Sequence, residues 1–89
     1  VLDPTHQRLI DLIRVGDLIE LQEAAKGLHP ADFTRLIFIA KDGYGYSAFE
    51  WMAYLRAYLK DPKQGTMLKW LYEQHREQVK DYLRQLGYG

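Results

Sequence analysis

Phe33-Thr34-Arg35-Leu36-Ile37-Phe38-Ile39-Ala40-Lys41-Asp42 is the stretch on which the fold class turns. Its centre, Leu36-Ile37-Phe38-Ile39, is a short apolar run, and such a run fits a buried strand as well as a buried helix. Two observations favour helix. Phe33, Leu36, Ile37 and Ala40 keep the 3, 4, 7 spacing of one helical face, and no other segment reads as a strand that could pair with this one. His29-Pro30 supplies a start, with Asp32 in the first turn, where a carboxylate meets the positive end of the helix dipole. A helix is predicted over 30–42.

Outward from this stretch, the remaining segments carry helix punctuation. Asp3-Pro4 reads as an N-cap followed by proline at the first helical position, Leu9, Ile10 and Ile13 form a stripe, and Gly16 closes it. Asp17 caps a second helix bearing Leu18, Leu21, Ala24 and Ala25, which Gly27 ends. On the C-terminal side, Gly43-Tyr44-Gly45-Tyr46 is the clearest break. Ser47-Ala48-Phe49-Glu50 has the form of a capping box, so a helix is predicted from Ser47 to about Leu59. Lys60-Asp61-Pro62 is a turn signal, and Gly65-Thr66 delays the next helix. From Met67 to Leu86 one long helix is predicted, with Leu68, Leu71, Tyr72, His75, Val79, Tyr82, Leu83 and Leu86 as its stripe and Gly87 as its stop. The expectation is an all-α fold: a compact array of about five short helices with a long C-terminal helix, forming a single helical domain over 1–89.

Composition narrows the function classes. The chain has 89 residues, is 47% hydrophobic and contains no cysteine. Disulfides, thiolate chemistry and Cys-ligated zinc are thereby excluded, and a cytoplasmic location is expected. The longest apolar run, Leu36 to Ala40, is too short to span a bilayer, so no membrane partner is expected. Twelve basic and twelve acidic residues balance to a net charge of zero, poor equipment for non-specific nucleic-acid binding, which depends on Lys and Arg at phosphates.

Catalytic constellations are not found. No His-x-x-x-His pair is present, so no metal or cofactor is expected. Gly43-Tyr44-Gly45 lacks the Lys-Ser/Thr that completes a phosphate loop. Ser47 and Thr66 read as caps rather than nucleophiles. His75 lies on the apolar stripe, where it reads as a boundary histidine; the functional alternative is a base or pH switch. The protein is not expected to be an enzyme.

Three short segments resemble known families. Thr34, Leu36, Ala40 and Gly43 match positions of the first helix of an ankyrin repeat, and Gly16-Asp17-Leu18 with Leu21 and Gly27 is similar to its second helix. Thr66, Leu68 and Val79 repeat the pattern thirty-two residues after Thr34, close to the ankyrin period, although the prolines are missing. This resemblance implies an ankyrin-like helical repeat fragment that binds proteins. Leu28-His29-Pro30-Ala31-Asp32 resembles an element of the N-terminal helical domain of MgtE-type magnesium transporters, without a metal site to carry over. Ile39 to Tyr54 resembles a helix-turn-helix through Ala40, Gly45 and Ser47, yet its recognition helix opens with Ala48, Phe49 and Glu50, which offer no base-reading side chain.

The aromatic residues point to a site. Six of the twelve fall between residues 44 and 58: Tyr44, Tyr46, Phe49, Trp51, Tyr54 and Tyr58. One helical face of this segment carries Ala48, Met52, Leu55 and Leu59; the next carries Trp51, Tyr54 and Tyr58. One helix cannot hide that many rings on one side of a small domain. Either both faces are core, or the second face docks a partner. The functional expectation is a protein–protein interaction or adaptor domain that binds another protein, or itself as a homodimer, through Tyr44, Tyr46, Trp51, Tyr54 and Tyr58 with Arg56 at the rim. Trp70, off the main stripe of its helix, is expected to join this surface. The alternative is a small nucleic-acid-binding domain using Arg56, Lys60, Lys63 and Lys69.

Overall fold

The computed structural model describes residues 3–87 and contains, among them, six α-helices and no strand. They are α1 (Pro4–Val15), α2 (Leu18–Lys26), α3 (Pro30–Thr34), α4 (Ala48–Tyr58), α5 (Pro62–Gln74) and α6 (Arg76–Gln85). The helix starts follow from side chains that satisfy otherwise orphaned N–H groups. Asp3 accepts from the Thr5 N–H and Asp17 from that of Glu20. His29 Nδ1 accepts from the Ala31 N–H. At α4 the capping box is complete: Ser47 Oγ accepts from the Glu50 N–H at 3.2 Å and Glu50 accepts from the Ser47 N–H at 3.1 Å. Gly16 ends α1 at φ 90°, a backbone conformation that disfavours any side chain. The Lys63 methylenes lie across it, and a Cβ there would stand 2.3 Å from Lys63 Cδ.

α4 lies between α1 and α5 and buries Ala48, Met52 and Leu55 against them. Leu9, Ile10 and Ile13 of α1, Leu21 of α2, and Met67 and Leu71 of α5 complete the core. Burying one such side chain is worth roughly 1.5–3 kcal/mol. Buried Gln64 of α5 donates to the Ile13 carbonyl at 2.7 Å, fastening the start of α5 to the end of α1.

Two expectations need correction. The helix predicted over 30–42 ends at Ile39, and its second half, Arg35–Ile39, is a π-turn marked by the Ala40 N–H bonding to the Arg35 carbonyl at 2.8 Å. The wider turn changes the helical phase. Leu36, Ile37 and Phe38 are all buried in succession, while Ile39 is exposed. Phe38 thereby reaches Phe49 at 5.5 Å and Tyr82 at 5.3 Å between ring centroids.

The long C-terminal helix is not formed. α5 starts earlier, at Pro62, because Asp61 caps it by accepting from the Lys63 N–H. The helix then breaks at His75, where φ is −133° and ψ 41°. The His75 ring stacks on Phe33 at 4.3 Å and meets Trp70 edge-on at 5.6 Å. The bend returns α6 to the core, setting Val79 inside and Tyr82 against Phe49 at 5.2 Å. A straight helix over 67–86 would run about 30 Å, nearly the molecule's full 32 Å extent, and would carry these residues away from α4.

Candidate functional site

Residues 40–47 leave the π-turn and return to α4 as a loop closed on itself. The Asp42 N–H donates to the Tyr46 carbonyl, and the Gly45 N–H donates to the Asp42 carbonyl. Gly45 sits at φ 84°, where only glycine fits without strain. The Asp42 carboxylate organises the rest. Its Oδ1 accepts from the N–H groups of Tyr44 and Tyr46 at 2.9 and 3.0 Å, and its Oδ2 accepts from the Trp51 indole at 2.6 Å. Burial opposes ionisation of Asp42, but the hydrogen bonds from Tyr46, Trp51 and Tyr44, together with nearby His6, outweigh it and lower the pKa.

This loop and α4 assemble five rings into a ladder. Tyr44 and Tyr46 each meet Trp51 edge-on, at 6.2 and 5.6 Å. Tyr46 stacks with Tyr54 at 6.2 Å, and Tyr54 contacts Tyr58 at 5.1 Å. Tyr44 is 77% exposed, Tyr58 73%, and Tyr46 and Tyr54 39% each, whereas Trp51 is half-buried. The Arg14 guanidinium lies 5.0 Å from the Trp51 ring centroid, in cation–π range. A shallow depression lined by Arg14, Val15, Trp51, Tyr54 and Leu59 flanks the ladder. Lys41 pairs with Glu50 beneath the loop.

Of the residues expected at the site, Tyr44, Tyr46, Trp51, Tyr54 and Tyr58 are brought together. Arg56 is not with them. It projects from the other flank of α4, lining a groove with Phe49, Ala53, Leu68, Tyr72 and Leu83, and Arg14 supplies the cation instead. Trp70 is also elsewhere, packed against Phe33 at 6.2 Å and His75. The four cations of the nucleic-acid reading have separate surroundings: Arg56 approaches Gly65, Lys60 stands at φ 56° just past the end of α4, Lys63 covers Gly16, and Lys69 pairs with Glu73 at 4.0 Å.

Two neighbours of the cluster, Arg14 beside Trp51 and His6 near Asp42, escaped the sequence reading. Arg14 carried no local signal. His6 did, since it precedes Leu9, Ile10 and Ile13 at helical spacing. It is 2% exposed, and its Nε2 has no hydrogen-bond partner. Burial lowers its pKa against the opposing pull of Asp42 and Asp3. Burial likewise lowers that of His75.

The local resemblances meet the following geometry. Thr34 and Thr66, paired by the thirty-two-residue spacing, close one helix and lie inside another. In the segment similar to a helix-turn-helix, Ala48 and Phe49 are buried and Glu50 is held by Lys41. Leu28-His29-Pro30-Ala31-Asp32 performs a helix start. Among the described residues no His, Asp and Glu group could hold a metal ion, and no helix is long and apolar enough to cross a membrane. No family model matches the chain, and neither a curated protein nor a solved structure does.

Proposed function

We propose that this protein is a cytoplasmic interaction module that docks a partner protein on the ladder formed by Tyr44, Tyr46, Trp51, Tyr54 and Tyr58. The observation that carries the reading is the exposure of four tyrosines in ring contact around one anchored tryptophan. Tyr and Trp dominate binding hot spots, where a single ring is often worth about 2 kcal/mol or more. The tyrosine hydroxyls keep an unoccupied surface hydrated. Asp42 fixes Trp51 and the loop before any partner arrives, which reduces the ordering cost of association.

Photo-cross-linking in cells tests the proposal, with a benzophenone side chain at position 58 and, as control, at position 69. The expected result is a discrete adduct from position 58 that is absent from position 69. Identical adducts from both positions, or none from position 58, would overturn it. Light scattering over a concentration series identifies a second copy as the partner if the mass doubles, and Tyr54→Ser with Tyr58→Ser should then restore the monomer.

A further inference from the structure

We propose that the groove bounded by α4, α5 and Leu83 of α6 is a second docking site, independent of the aromatic ladder, and that its occupant is an acidic amphipathic helix of a partner protein. The groove encloses about 530 Å³ and is floored by Phe49 and Leu68. Its α4 wall is low because Ala53 and Ala57, one turn apart, are both exposed. Two alanines at this spacing let another helix backbone come close, at an interaxial distance of about 8 Å. Tyr72 and Leu83 form the facing wall and continue into an adjoining depression of about 350 Å³ towards Arg76 and Lys80. This is the form that accepts the apolar ridge of a helix.

Charge selects the kind of helix. The groove and its extension are lined by three cations, Arg56, Arg76 and Lys80, against one acid, Glu73. Glu73 is already paired with Lys69 and Lys80 with Glu77. Arg56 and Arg76 make no ion pair among the described residues. Two guanidinium groups therefore stand at the rim, suited to carboxylates in bidentate geometry. A helix with leucines on one face and glutamates beside them satisfies both the floor and the rim.

The full chain should be titrated, with amide chemical shifts as readout, against a capped eighteen-residue helical peptide of Leu, Ala and Glu. The same peptide with every Glu replaced by Lys serves as comparison. The acidic peptide is expected to shift residues 53, 57, 72 and 83 saturably and to leave 44–46 and 58 unmoved. The basic peptide should bind about tenfold more weakly, and Arg56→Glu should cost the acidic peptide a similar factor, the scale of one charge-assisted contact. Ala53→Trp, at an exposed position, should fill the groove and abolish the shifts while the helical circular dichroism is retained. Equal affinity for both peptides, shifts confined to the ladder, or no shifts at millimolar peptide would each overturn the proposal. So would stronger shifts from a duplex oligonucleotide at the same residues.

Discussion

The two flanks of α4 hold aromatic clusters of similar spacing and opposite fate. On one flank Phe49 meets Phe38 and Tyr82 at 5.5 and 5.2 Å, and the two phenylalanines are buried. On the other, neighbouring rings from Tyr44 to Tyr58 lie 5.1–6.2 Å apart with four of the five exposed. Ring geometry therefore does not report burial here; the absence of any polar group on the ring does. All three phenylalanines are buried, while the ladder is built from tyrosines and one tryptophan whose indole N–H has a charged acceptor. Phenylalanine has no polar handle with which to stay wet.

The comparison can be broken most directly at its dry end. Phe49→Ala should cost about 3–5 kcal/mol in denaturant unfolding; a loss near 1 kcal/mol would place Phe49 with the surface rings. Trp51→Ala, at a half-buried ring, should cost about 2 kcal/mol, and Trp51→Phe about 1 kcal/mol through the lost bond to Asp42. If Trp51→Ala matched Phe49→Ala, the ladder would be core rather than surface. Ser47→Ala should cost about 1 kcal/mol by opening the capping box that aims both flanks, with a thermal melt as the check.

Mild acid probes the interior without removing a side chain. His6 and His75 have lowered pKa values in the fold, so the unfolded chain takes up protons first. Stability should be complete above pH about 6.5 and fall as the pH drops through the lowered folded values. His6→Leu with His75→Phe should remove that slope. Asp42 and Glu50, also lowered, act in a separate window. Their stabilisation is present above pH about 4 and is lost as the pH falls through their folded values. Smallest of all, Tyr58→Ser should change stability by no more than about 0.5 kcal/mol while removing partner capture.

What could be read from the sequence was local. Asp3, Asp17, His29 and Ser47 cap helices within three residues of themselves, and Gly16 adopts the conformation that only its own residue type favours. The ring cluster at 44–58 was legible because α4 and its loop are contiguous. The π-turn and the bend at His75 were not, since both serve contacts with distant segments: Phe38 with Tyr82, and His75 with Phe33. Leu59 keeps helical phase with Met52 and Leu55 but is exposed, because α4 ends at Tyr58. Lys60, at φ 56°, takes the left-handed position that follows. The assignment of Arg56 to the patch rim failed on angle: five positions beyond Trp51, it turns to the opposite flank.

The bond from Gln64 to the Ile13 carbonyl joins residues 51 positions apart. It sets an order of events during synthesis. The first helix is complete early, but the partner that fastens its end belongs to the fifth and emerges much later, so α1 must wait as an unfastened amphipathic segment. Long-range closure of this kind is entropically late.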